Sequence, residues 1–263
     1  PGRVDVSVAA LEAARADRSG HRSPAAPLAV VRARTVEDVQ AACRVAHGTR
    51  TPLVTRGAGT GLAGGAVAGA GEIVLDMTAM DRILEVSPAD RVAVVEPGIL
   101  NGALNAALAE HGLWWAPDPA SKDISTVGGN IAMNAGGLLC AKYGVTREAV
   151  LGLEVVLPDG SLFSDLSPLR KNNAGYDVKQ LFLGAEGTLG IITAVSLKLA
   201  RKPRQTVTAF LAIQDIASLA TILGMAQEQT GEMVTSFEYL SDRSLQLLLS
   251  ARPELRHPLS APG

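Results

Sequence analysis

Cysteine is almost absent: Cys43 and Cys140 are the only two in 263 residues. No disulfide framework and no CxxC metal site can be built from them. Cys43 falls on the apolar stripe Val36, Val39, Cys43, Ala46, where it reads as core. Histidine is scarce too. His21, His47, His111 and His257 never recur at i+2, i+3 or i+4, so there is no zinc motif and no metal ligand is assigned. Excess charge is also missing. The net charge is −2, which offers no attraction to nucleic acid or to an anionic membrane surface. No window supplies the ~18 uninterrupted apolar residues of a membrane span. The opening PGRVDVSVAALEAARADRSG holds neither a signal-peptide core nor an initiator Met. The sequence is therefore expected to start downstream of the native start and to belong to a cytoplasmic protein. The 18 arginines against 6 lysines suit a GC-rich bacterial genome.

What the chain does have is glycine in one place. Between Gly57 and Gly71, seven of fifteen residues are glycine. A run this bare inside an ordered domain needs either several positive φ angles or something bulky lying against the backbone. A flexible linker is disfavoured, because the run lacks serine and strand-like segments bound it closely on both sides.

The local pattern predicts a strand at Ala26–Val31 and a helix after Thr35, with Asp38 at the capping-box position and an end at Gly48. Strands follow at TPLV and at Glu72–Met77. RILEVSPADRVAVVEPG reads as two strands around a Ser-Pro-Ala-Asp turn. LNGALNAALAEHG reads as a helix with Leu100, Ala103, Leu104, Ala107 and Leu108 on one face and Gly112 at its stop. Leu113 to Thr146 has little periodicity, and loops of that length are usually functional. VLGLEVVLPDGSLFS is a hairpin turning at Pro-Asp-Gly, and Thr188–Ala200 is a strand. A new pattern begins after Pro203: a strand at Val207–Ala212 and helices near Asp215–Gln229 and Asp242–Ser250. The expected class is α+β. The expected divisions are an N-terminal segment 1–24, a main domain 25–202, and the beginning of a second α+β domain, 203–263, which looks cut short.

Gly59-Thr-Gly61-Leu-Ala-Gly64 matches GxGxxG, and Asp76 ends the next strand where a ribose-binding acid would stand. The Rossmann reading fails on space. Only Gly65 to Gly71, seven residues, separates the last glycine of the match from the next strand. That is too short for a crossover helix. No GxxxxGK[ST] is present either. The remaining reading is a nest of backbone N–H groups around an anion, with Arg56 adding charge and Thr60 a hydroxyl. A second bare stretch, PDPASKDISTVGGNIAMNAGG, runs from Pro117 to Gly137. Its Ser125 and Thr126 precede a short predicted helix, Val127–Asn134, whose N-terminus can also face an anion. Two such loops beside strands suggest one long ligand with a diphosphate at its middle.

With these, RGAGTGLAGG, VEPGIL, PDPASKDISTVGGNIAMNAGG, KYGVTREAVLGLEVVLPDG and NNAGYDVKQLFLGAEGTLGIIT occur in order. Together they resemble the FAD-binding domain of the vanillyl-alcohol-oxidase/p-cresol-methylhydroxylase (PCMH) type, built of two α+β subdomains. The branch is that of the glycolate oxidase FAD subunit, D-lactate dehydrogenase and D-2-hydroxyglutarate dehydrogenase.

The resemblance implies that Arg56, Gly57, Ala58, Gly59, Thr60 and Gly61, with Gly64 and Gly65, hold the FAD phosphates through backbone amides. It places Pro117 and Asp118 at the start of the loop beside the flavin. It assigns Ser125, Thr126, Gly129 and Asn130 to the pyrophosphate and ribityl region. Asn134, Gly136 and Gly144 line the cofactor, and Glu186, Gly187, Gly190 and Ile192 form a late contact segment. Relatives that link FAD covalently use a His or a Cys where this chain has Thr60 and Ile124, so FAD is expected to be non-covalent.

The implied activity is oxidation of a small D-2-hydroxy acid by hydride transfer to flavin, with a quinone, cytochrome, flavoprotein or partner subunit taking the electrons. Other enzymes of the same fold, such as sugar oxidases or UDP-sugar reductases, and a non-catalytic flavin-binding fragment or subunit are the alternatives. No catalytic residue is assigned. The resemblance puts the catalytic histidine and any divalent metal beyond residue 263, in a substrate cap of which 203–263 would be the start. Trp114 and Trp115 read as packing rather than as a flavin cover, and His111 as a helix-end cation. Lys171, Asn172, Asn173, Tyr176 and Asp177 are open between a solvated loop and a flavin neighbour.

Overall fold

The structure, a computed structural model, describes residues 2–259. In chain order the elements are β1 (Val4–Asp5), α1 (Val8–Ala14), β2 (Ala29–Arg32), α2 (Val36–Thr49), β3 (Leu53–Arg56), β4 (Ile73–Asp76), β5 (Ile83–Ser87), β6 (Val92–Val95) and α3 (Asn101–Leu108). There follow β7 (Leu113–Trp114), α4 (Val127–Ala132), α5 (Cys140–Tyr143), β8 (Val150–Val156), β9 (Leu162–Asp165), β10 (Ile191–Lys198), β11 (Ala200–Arg201), α6 (Leu219–Thr230) and α7 (Asp242–Ala251). The chain forms two compact units. One holds the residues up to Gly137 together with Tyr143–Lys202; the other holds Leu138–Lys142 with the residues from Pro203 onward.

The first unit contains two principal sheets. In one, ordered β1-β2-β4-β3, the inner strand β4 runs parallel to both β2 and β3. Parallel neighbours need a crossover of a dozen or more residues, usually a helix. α2 serves between β2 and β3. Between β3 and β4 the glycine run itself makes the crossover, with no helix in it. That is the physical content of the failed Rossmann match. Asp76, the would-be ribose acid, instead accepts the N–H (2.9 Å) and hydroxyl (2.6 Å) of Thr78 in its own turn.

The other sheet is antiparallel, β5-β6-β10-β8-β9. Its central strand β10 is buried from Ile191 to Leu197, as a strand covered on both faces must be. α2 joins the two halves. The Thr35/Asp38 capping box starts it, and its buried Val39 and Cys43 pack with Leu75, Met77 and Met80 on one side and Val156 and Ile191 on the other. Burial pushes the Cys43 thiol up to about 11, consistent with a core residue. The larger core gathers Leu104 and Leu108 of α3, Ile131 of α4 and strand residues around Trp115. Trp115 is fully buried, and its indole donates to the Ala149 carbonyl at 3.2 Å. Trp114 meets Tyr143 edge-on. The burial of Ala103 and Ala107 expected on α3 does not occur; Asn101 joins Leu104 and Leu108 inside instead.

In the second unit, α6 and α7 form as expected, but the predicted strand at Val207–Ala212 does not. No partner strand meets this segment among the described residues, and Val207 and Phe210 are 80% and 64% exposed. An extended run without a ladder has nothing to hold it as a strand.

Candidate cofactor site

Three separated segments of the first unit converge on one cavity of about 540 Å³, a volume in the range that cofactor-sized ligands occupy. They are the glycine loop, the stretch Pro119–Ala135, and the late segment that leads into β10.

The glycine loop leaves β3 with its amides unused. The N–H groups of residues 57 through 65 donate to no acceptor among the described residues. Half-buried N–H groups in folded proteins are otherwise nearly always paired, so those of Gly57, Gly59, Thr60 and Gly61, half-buried on the cavity wall, call for an acceptor from outside the chain. The Arg56 side chain, expected to add charge to this nest, turns the other way. Its guanidinium donates to the Ala66 carbonyl at 2.7 Å and to the Ala16 carbonyl at 2.9 Å, clamping the loop's far end to the N-terminal segment. Burial pulls its pKa down, against the charges of Asp17 and Asp76. Asp17 shows the reverse balance. Burial would raise its carboxyl, but the Ser19 hydroxyl and N–H, the nearby Ala66 N–H and the Arg56 charge hold it below its usual range.

The second stretch works differently. The N-terminus of α4 was expected to present free amides, yet Val127 donates to the Ile99 carbonyl (2.8 Å), Gly128 to that of Pro97 (2.8 Å) and Gly129 to the Thr126 hydroxyl (3.2 Å). The protein has already satisfied this helix end, so what the chain offers a ligand there is side chains. Two are ready: the Ser125 hydroxyl and the Asn130 side-chain N–H group are buried against the cavity with no hydrogen-bond partner. Unpaired buried polar atoms cost free energy unless a ligand or water completes them. With the free amides of the first loop, they fit a ligand rich in hydroxyl and phosphate oxygens, as FAD is.

Sequence reasoning overlooked what steadies this stretch. Asn101 donates to the Pro117 carbonyl at 3.0 Å, and Asn105 exchanges hydrogen bonds with the backbone of Trp115. Asparagines on a helix's buried face were the available signal. The late segment is tied to α4 through Gly184 N–H to Ile131 O (3.1 Å) and Glu186 N–H to Ala132 O (2.9 Å). There Glu186 and Gly187 both take left-handed backbone, at φ 55° and 78°.

Of the residues singled out in the sequence, Gly57, Ala58, Gly59, Thr60, Gly61 and Gly65 of the first loop line the cavity. So do Ser125, Thr126, Gly129 and Asn130, and Glu186, Gly187, Gly190 and Ile192. The others stand back from it. Gly64, at φ 81°, makes the loop's bend. Asp118 forms an ion pair with Lys122 at 2.5 Å. Asn134 accepts from the Arg147 N–H at 2.9 Å, and Gly144 (φ 72°) packs under Glu148. Pro117, Gly136 and Arg56 are likewise absent from the wall. Lining residues not anticipated include Arg18, Met77, Pro97, Phe182 and Ile191. Tyr176 is 96% exposed, so the polar loop around it is a solvated one.

Residues 27–165 match the model of a family described as "FAD binding domain". The chain is 39% identical over 249 residues to D-2-hydroxyglutarate dehydrogenase of Stutzerimonas stutzeri (strain A1501), covering 95% of this chain and 53% of that protein. It is 41% identical over 194 residues to the glycolate oxidase subunit GlcD of Bacillus subtilis (strain 168), covering 74% of this chain and 41% of that one. The chain thus spans about half the length of the curated relatives it matches, or less. A solved alkyldihydroxyacetonephosphate synthase superposes with a TM-score of 0.68 over 78% of this chain and 39% of its own, at 24% identity. That is a likeness of fold.

Proposed function

Because this chain belongs to the FAD-binding domain family, in the PCMH-type branch that its motifs resemble, we propose that it is the cofactor-holding part of an FAD-dependent oxidoreductase acting on a small D-2-hydroxy acid such as D-2-hydroxyglutarate, glycolate or D-lactate. The observation that carries this reading is the identity to a D-2-hydroxyglutarate dehydrogenase along 95% of the chain, laid over a cavity whose unused donors suit a dinucleotide. Fold alone would not suffice, since the same architecture carries unrelated chemistries.

In this reading the free amides of residues 57–65 hold the diphosphate, and Ser125 and Asn130 complete hydrogen bonds to the ligand's oxygens. The wall of Met77, Pro97, Phe182 and Ile191 excludes water from its rings. Bound FAD supplies the two-electron acceptor. The chain's own residues bind and orient it, and positioning of this kind accounts for much of an enzyme's rate. Partner subunits or a separate electron acceptor complete the turnover, in the cytoplasm or at the membrane face through those partners. Among the described residues no helix is long and apolar enough to cross a membrane.

The test is anaerobic addition of D-2-hydroxyglutarate, glycolate and D-lactate, separately, to the flavin-loaded protein in its full natural length, following loss of the flavin's visible absorbance. Rapid bleaching by one of the three is expected. Bleaching by none, with bleaching by a sugar, would move the protein to the sugar-oxidising members of the fold.

A further inference from the structure

The family model begins at residue 27, and the first 24 residues read as a segment apart. The structure builds part of them into the cavity. Ala68 donates its N–H to the Ala14 carbonyl at 3.0 Å, and Arg56 reaches the Ala16 carbonyl. The N–H of Arg18 donates to the Gly59 carbonyl at 3.2 Å, in the middle of the run of unused amides. Ser19 lies beside Gly64, its hydroxyl 3.7 Å from where a Cβ on that glycine would stand.

Arg18 differs from its neighbours in that its side chain has no hydrogen-bond or ion-pair partner among the described residues. Arg15 binds the Ser23 carbonyl and Glu12, and Arg22 pairs with Glu12. Arg56 is the clamp already described. The Arg18 side chain is exposed and enters no ion pair among the described residues, yet it lines the cavity. It is the single cationic residue in that lining, and Glu186 is the single anionic one. A diphosphate brings two negative charges into this wall. Backbone amides answer them with partial charges only, and Glu186 opposes them. The Arg18 backbone is anchored at Gly59, and its guanidinium offers phosphate a full charge and a bidentate, charge-assisted hydrogen bond.

We propose that the N-terminal segment around Arg18 is a fourth part of the cofactor cradle, and that Arg18 supplies the cation that pairs with the phosphates of the bound dinucleotide. The inference rests on the FAD reading above and adds a residue from outside the matched family span.

The experiment titrates flavin-free protein with FAD, and separately with riboflavin, across a series of salt concentrations, for the natural sequence, Arg18→Gln and Arg18→Lys. Arg18→Gln is expected to weaken FAD by about tenfold and to flatten the salt dependence of its affinity, because one screened charge contact has gone. Riboflavin, which carries no phosphate, keeps its affinity, and the melting temperature of the flavin-free protein is unchanged. Arg18→Lys recovers most of the loss. Unaltered FAD affinity and salt dependence in Arg18→Gln would overturn the proposal, and so would an equal loss for riboflavin. If the natural sequence takes up no FAD at all, the cofactor reading itself falls, which is a distinct result.

Discussion

Gly57 and Gly61 lie in one loop and are bare for opposite reasons. A Cβ on Gly57 would stand 2.4 Å from the Thr126 hydroxyl, the group that caps α4. A Cβ on Gly61 meets nothing within 4 Å, and its backbone is not left-handed. Gly57→Ala should therefore displace the cap and cost about 1–2 kcal/mol of stability. Gly61→Val should leave stability within about 0.5 kcal/mol and weaken FAD by about tenfold, since its side chain fills space the ligand needs. Thermal melts and FAD titration on both variants separate the two roles. A Gly61→Val protein that binds FAD normally would show the loop to be only a crossover.

At the scale of elements, the glycine crossover keeps its shape through a clamp rather than through regular structure. Arg56 draws Ala66 and Ala16 together, and Asp17 answers its charge. Because the folded protein holds the Asp17 carboxyl below its usual range, the ionised group stabilises the fold. That contribution is fully present above the unfolded value of about 3.9 and is lost as pH falls through the lower folded value. The melting-temperature gap between the natural protein and Asp17→Asn should thus stay constant from neutral pH down to about pH 5 and close at more acid pH. A gap that persisted undiminished in acid would mean that Asp17 acts through shape and not charge.

For the whole molecule, the absence of a linking side chain has a direct consequence. Thr60 and Ile124 both line the cavity, and neither can form a bond to flavin. Acid denaturation of the yellow protein followed by centrifugation should leave the flavin in the supernatant. Flavin retained in the pellet would show a covalent link. The two halves of the first unit share α2 and its cluster, so FAD loading should raise the melting temperature of that unit as a single transition, since a ligand binding only the folded state stabilises it by mass action.

Local chemistry was enough to determine most elements of this protein. The Thr35/Asp38 box, the left-handed stop at Gly112, the Pro-Asp-Gly hairpin and the continuous apolar run of β10 depend on residues within one or two turns of each other, and such patterns are written in the sequence. The bareness of the two loops was equally plain. What each loop does with its hydrogen-bonding groups was not. Whether the N-terminus of α4 is free depends on the carbonyls of Pro97 and Ile99, some thirty residues away. Whether Arg56 faces a ligand or the protein depends on Ala16, forty residues away. The extended run at Val207–Ala212 needed a partner strand that no local pattern can promise. Tertiary structure alone decided these, because a donor's fate is set by which acceptor the fold brings within reach, and that acceptor leaves no mark on the residues beside the donor.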